Sequence, residues 1–267
     1  TEGLEEHEVW EKRVRPLVSS APPNVVTLCD IATTEMVNND IDHSGSEEIA
    51  VYVTCTAAMV DILIHDRGVG IFRKIKRDCN LSEEREAILE LSKGKLTTAP
   101  EGHSGWGIFF SSRMRDMFEI NSGNLIFTHI QPDDDWLIQT DSKHVDGTFV
   151  SLTISTSTDR TANAVYSRFC ESVDGDFDAG MTRTHVPLRL AQYGNESLVS
   201  RSQAKRVLAR FERFREVLLD FRGVEFVGQA FADEIFRVFR KAHPEVRLNH
   251  MNASSAIRRM IALAESG

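Results

Sequence analysis

A chain of 267 residues is long for one ordinary domain and comfortable for two. With 41% hydrophobic residues and no apolar run near the length of a membrane span, it reads as a globular cytoplasmic protein. Its four cysteines (Cys29, Cys55, Cys79 and Cys170) show no CxxC or Cys/His metal spacing, which suits reduced thiols, and a net charge of −9 argues against non-specific nucleic-acid affinity.

The chain opens on Thr1 in place of Met, which leaves room for a preceding segment, and no signal peptide is read. Residues 1–23 form an N-terminal helix or arm, of which residues 4–18 are a candidate contribution to a homodimer interface. Residues 24–42 read as a helix, because Val25, Leu28, Ile31, Ala32, Met36, Val37 and Ile41 form an apolar stripe at helical spacing. Inside it lies Glu-Met-Val-Asn-Asn at residues 35–39, and on a helix Glu35 and Asn39 are one turn apart on a shared face. A carboxylate beside an amide suits a water to be activated next to hydrated Mg2+, which takes oxygen ligands and keeps several waters. Taken alone, the pair fits an exposed polar face better.

Residues 49–56 alternate apolar and polar side chains and residues 60–65 form a second β-rich run, so antiparallel strands joined by a tight connection are expected. The second strand runs into Asp-Arg-Gly-Val-Gly at residues 66–70. Asp66 places an acceptor at a pocket floor, and Gly68 and Gly70 allow close backbone approach; an Asx-type turn explains one of these glycines better than two. Residues 71–101 are rich in Lys, Arg and Glu. Lys74, Lys76, Lys93 and Lys95 fall in this charge run, which as a class is more often solvated surface, and no role is assigned to them. Gly-His-Ser-Gly-Trp-Gly at residues 102–107 precedes a helix expected over residues 108–117, and its glycines, Gly102, Gly105 and Gly107, offer backbone N–H groups at a helix start to phosphate. Gly147-Thr148 then opens a strand at residues 149–154.

In order, spacing and context, these blocks resemble the GHKL ATP-binding fold shared by DNA gyrase, sensor histidine kinases and the anti-sigma-factor serine kinases. The resemblance covers about residues 24–154, with Trp106 standing where small or aliphatic residues are common. It implies an α+β two-layer sandwich that binds ATP and Mg2+. By this resemblance Asp66 receives the exocyclic amine of adenine, and Gly68, Gly70 and Thr148 also hold the base. Glu35 is then the general base, Asn39 the Mg2+ ligand, and Gly102, Gly105 and Gly107 the phosphate site, with residues 71–101 as the ATP lid.

Residues 156–185 read as a polar connector containing a short helix, and the pattern after them changes. Strands at 184–190, 217–221 and 246–249 alternate with helices opening at Ser200 and spanning 229–242 and 253–264, which implies an α/β layer with a partly parallel sheet. From Val186 onward 14 Lys or Arg stand against 9 Asp or Glu, compared with 17 against 31 before it. Residues 218–236 resemble the STAS-like family found behind GHKL domains. Where the anti-anti-sigma STAS core carries a phosphorylatable Ser or Thr, this chain has Gly228-Gln229-Ala230, with no hydroxyl. The fold class expected is therefore α/β overall: a GHKL-type two-layer sandwich at 24–155, followed by a smaller STAS-like domain at 186–267.

The reading that follows is a Mg-ATP-binding regulatory protein, a slow ATPase switch acting on its STAS-like domain or on a regulatory protein partner. One alternative is a serine/threonine kinase acting in trans, as anti-sigma-factor kinases do, and another is a non-catalytic nucleotide sensor. A histidine kinase is disfavoured, because His7-Glu8 sits too close to the ATP module to leave room for a dimerisation hairpin. A topology or mismatch-repair enzyme is disfavoured by the missing transducer domain.

Overall fold

Strict alternation in three strands builds the sheet on which the first part of the chain depends. The computed structural model describes residues 3–96, 105–132, 134–140, 144–171, 180–193 and 196–266, and the chain divides into two compact units, Thr1–Ser167 and Arg168–Gly267.

The first unit begins with α1 (Glu6–Val9), a π-helical turn (Trp10–Val14) and α2 (Arg15–Val18). Trp10, Val14 and Val18 are buried and this segment packs on α3 (Pro23–His43), so the face best suited to a dimer contact is already used within the unit. The sequence reading of 24–42 as a helix agrees with α3, whose buried stripe is Val25, Leu28, Cys29, Ala32, Met36 and Val37. Then follow β1 (Ile49–Cys55), β2 (Met59–Asp66), α4 (Ile71–Asp78), α5 (Glu86–Lys93), α6 (Gly107–Arg113), β3 (Met117–Gly123), β4 (Leu125–Ile130), β5 (Asp134–Gln139) and β6 (Val145–Ser155). All pairings are antiparallel, in the order β1-β2-β6-β3-β4-β5.

One face of this sheet is dry. Val60, Ile62 and Ile64 of β2, Val150, Leu152 and Ile154 of β6, and Phe118 and Ile120 of β3 are buried, while the residues between them are half-buried or exposed. Packing of α3 on β2 and β6, and of α4 and α6 on β3, covers that face, so the unit is a two-layer α+β sandwich. Each such aliphatic or aromatic side chain contributes about 1.5–3 kcal/mol on full burial, which explains why the alternation is strictest in the central strands.

The last strand in sequence returns to the middle of the sheet, between β2 and β3. That register sets Asp66 opposite Thr148. Gly147 has φ +76°, and a Cβ there would lie 2.1 Å from the Asp66 carbonyl oxygen. The helix expected to run to Met117 stops at Arg113 instead. The Asp116 N–H is taken by the Thr153 carbonyl of β6 (3.0 Å), and Arg115 donates to the Leu28 carbonyl of α3 (2.8 Å), which pulls the chain out of helix and into β3.

The helix α7 (Ala162–Phe169) is the short helix expected within the connector, and the division between the units falls within it. The second unit contains β7 (Arg183–Pro187), α8 (Arg201–Leu208), β8 (Glu216–Asp220), α9 (Gln229–Asp233), a π-helical turn (Glu234–Phe239), α10 (Arg240–Ala242), β9 (Arg247–Met251) and α11 (Ser255–Ser266). Its three strands are parallel in the order β7-β8-β9, joined by helical crossovers as parallel pairing requires. A capping box opens α8, where the Ser200 Oγ accepts the Gln203 N–H and Gln203 reaches back to the Ser200 N–H. No described helix of the chain is long and apolar enough to cross a membrane.

Replacement Gly147→Ala should destabilise the first unit. The left-handed φ costs roughly 1–2 kcal/mol for an L-residue, and the clash with the Asp66 carbonyl adds to it. Gly45→Ala is the control: Gly45 has φ +68° but open space around a Cβ, so it carries the strain without the clash. Thermal unfolding followed by circular dichroism should show the larger fall for Gly147→Ala; equal falls would contradict the close approach.

Candidate functional site

Helix α3 starts at Pro23 behind Pro22, a residue suited to a first helical turn, and ends where Ser44 turns back on it. Its Glu35 and Asn39 line one cavity of about 270 Å³ in the first unit, near the lower end of the roughly 300–1,000 Å³ common for small-molecule sites. Asp66, Gly70, Gly105, Gly107 and Thr148 line the same cavity, so residues from four separated sequence blocks meet there. Gly68 is not among the lining residues, and Gly102 lies outside the described residues.

The floor is built at the end of β2. Asp66 is 1% exposed; its Oδ1 accepts the Gly68 N–H at 2.6 Å, and its Oδ2 is buried with no partner. Across the register, Thr148 Oγ1 accepts the Ile71 N–H at 3.1 Å, which fixes the start of α4 to β6 while leaving the hydroxyl proton available. Gly68 has a structural duty. A Cβ on it would lie 2.0 Å from the Ser44 carbonyl oxygen, and that same carbonyl accepts the Val69 N–H at 2.9 Å, stitching the glycine block to the end of α3. Gly70, with φ +81°, sits where a Cβ would meet Ser122 Oγ at 2.8 Å.

Asp40, which sequence reading passed over, enters the floor from α3. It lines the cavity, is 7% exposed, and its Oδ2 has no partner. Burial, and then the neighbouring Asp66 charge, push its carboxyl up to about 8. The folded state therefore holds a proton on Asp40 that the unfolded chain releases near the usual carboxylate range, and stability falls as pH rises between that range and about 8. One signal was available: Asp40 stands one turn after Met36, and so on the apolar side of α3, where a carboxyl is out of place unless it has a task.

The glycine-rich turn approaches from the other side. The Leu96 N–H donates to the Gly105 carbonyl (3.1 Å), and a Cβ on Gly105 would meet the Leu96 backbone at 2.7 Å. Gly107 opens α6, and a Cβ there would lie 2.1 Å from Glu35 Oε2, so the carboxylate of the first block rests on the backbone of the third. Residues 71–96 are not throughout the solvated surface that the charge run suggested. Every residue from 87 to 93 is buried, and Lys93 pairs with Glu90 at 2.6 Å within α5. Lys74 also lines the cavity and pairs with Asp78 at 2.9 Å.

In the second unit, β8 ends on Asp220, which is buried. Burial alone would raise its carboxyl, but hydrogen bonds from His185 (3.1 Å), the Asn252 amide (2.8 Å) and the Arg222 N–H (2.8 Å) overcome that and hold it at about 2. The stretch Gly228-Gln229-Ala230 follows. Its Gly228 N–H donates to the Leu198 carbonyl at 2.8 Å, and a Cβ on Gly228 would meet Val199 Cα at 2.8 Å, so this corner is packed tightly. Asp233 is held by Arg237 and Arg201, an ion-paired surface residue more than a site.

No curated protein matches the chain. Residues 203–258, within the second unit, are similar to the family model of a STAS-like domain of unknown function (DUF4325).

Proposed function

We propose that the first unit binds Mg-ATP and that the protein is a slow ATP-dependent switch. One observation carries the reading: a buried carboxylate oxygen, Asp66 Oδ2, stands without a partner on the floor of a cavity whose wall holds Glu35 and Asn39. A buried unpaired acceptor is costly unless a ligand donor meets it, and the amino group of adenine is such a donor. Gly70, which lines the cavity, adds no side chain to it, and that favours a flat base there.

Among the described residues no cluster of three His, Cys, Asp or Glu is arranged to hold a metal ion. A Mg2+ ion here would rely on Asn39 and the nucleotide's own phosphates, in keeping with its habit of taking few protein ligands, and it would supply charge neutralisation at those phosphates. Glu35 is exposed enough to meet solvent and serves as the base that takes a proton from the attacking water. Asp66 and Thr148 orient the base, and the backbone of Gly105 and Gly107 faces the phosphates. Turnover is slow because the bound state is the signal, read by the STAS-like domain or by a protein partner. The missing hydroxyl at 228–230 favours, as the second reading, phosphate transfer to a separate STAS-type protein over transfer within this chain.

Incubation with Mg2+ and γ-labelled ATP, beside Glu35→Ala, tests the reading. Free phosphate should form with the wild type and fall about 10²–10⁴-fold in the variant, the range of a lost general base; label appearing only on an added STAS protein would select the kinase. Calorimetry with Asp66→Asn should show ATP binding weakened by about tenfold or more, as for a lost charge-assisted hydrogen bond. Unchanged affinity would remove Asp66 from the site.

A further inference from the structure

Two buried carboxyls, not one, end on the cavity floor. Asp40 comes from α3 and Asp66 from β2, both line the cavity, and each leaves its Oδ2 without a partner. A single unpartnered acceptor calls for one ligand N–H. A pair of neighbouring acids cannot both stay ionised in so dry a place, so one carries the proton and becomes a donor beside its neighbour's acceptor. An acceptor next to a donor complements an amidine-like edge, in which an exocyclic N–H lies beside an unprotonated ring nitrogen.

We propose that Asp40 is a specificity-determining residue of this site, its protonated carboxyl donating a hydrogen bond to a ring nitrogen of an aminopurine while Asp66 accepts from the exocyclic amine. The inference rests on the nucleotide reading given above and adds to it a second base-reading group and a pH dependence. Among the described residues, the titratable groups that share the cavity with Asp40 are Glu35 and His43 of α3, Asp66 of β2 and Lys74 of α4. Between pH 7.5 and 9.5 an ordinary His is already neutral, a Glu already ionised and a Lys still charged, and phosphate has finished titrating. Asp40, pushed up to about 8 by burial and by Asp66, is the group that changes in that window.

The test is calorimetric binding of ADP at pH 7.5, 8.5 and 9.5 to the wild type, Asp40→Asn, Asp40→Ala and Asp66→Asn. Wild-type affinity should fall by about tenfold or more across the window, because the donor is lost and a second carboxylate appears. Asp40→Asn, whose amide donates at every pH, should hold its affinity within about threefold and lose the pH dependence. Asp40→Ala should bind about tenfold more weakly at pH 7.5 and also show a flat profile. A merely structural Asp40 would not move the profile, and thermal unfolding of both variants at pH 9 should lie at or above the wild type, since a buried acid has been removed. If Asp40→Ala binds ADP with the wild-type affinity and profile while Asp66→Asn does not, this inference falls and the nucleotide site stands. If the wild type binds no ADP at any of these pH values, the nucleotide site falls and the inference with it.

Discussion

The close packing of the Gly147 backbone on the carbonyl of Asp66 is the constraint from which the candidate site follows. Only a glycine fits there, by its positive φ and by the 2.1 Å that a Cβ would leave. Because that position is a glycine, β6 can lie directly beside the end of β2, and Thr148 comes to face Asp66. The hydroxyl of Thr148 then takes the first N–H of α4, so the floor of the cavity, the central sheet and the helix that follows the glycine block are one hydrogen-bonded assembly.

Helix α3 supplies the rest of the frame. Its apolar stripe anchors it to β2 and β6, and its C-terminal end is tied to the glycine block through the Ser44 carbonyl. Those two attachments fix its rotation, and the rotation decides which polar residues face the cavity. Glu35 comes to rest on Gly107, and Asp40 is driven into the floor beside Asp66. Neither contact is a property of α3 alone. Both arise because the helix is held along its apolar stripe and at its C-terminal end by groups from other parts of the chain.

The two units treat a buried acid in opposite ways, and the difference separates a site from a brace. In the second unit Asp220 receives His185, Asn252 and a backbone N–H, and its carboxyl is held down to about 2. Both carboxylate oxygens of Asp220 are thereby taken by donors from the ends of its own strand and its neighbours. In the first unit Asp40 and Asp66 each keep an oxygen without a partner, and Asp40 is pushed up to about 8. Folding tolerates that cost most readily where an incoming molecule relieves it. The second unit is also tightly packed at Gly228-Gln229-Ala230, the stretch without a hydroxyl, where Gly228 lies too close to Val199 for a side chain to be added without movement.

Much of the architecture was legible along the chain. The apolar period of α3, the alternation in β1, β2 and β6, and the change to alternating strands and helices after residue 183 depend on local spacing, and spacing is what a sequence records. The blocks around Glu35, Asp66 and Gly107 were legible for the same reason, since each is contiguous. The early end of α6 was not, because it is set by the capture of Asp116 by β6 and of Arg115 by α3, both distant in sequence. Nor was the burial of α5, whose one lysine looked solvated until Lys93 was enclosed with Glu90. By itself the sequence determined which residues form the elements and which short blocks carry polar chemistry. Only the tertiary structure decided that β6 lies beside β2, that Gly68 serves α3 and not the cavity, and that Asp40 joins Asp66. Those outcomes depend on strand order, helix rotation and desolvation, which are properties of the packed molecule and of no local stretch of chain.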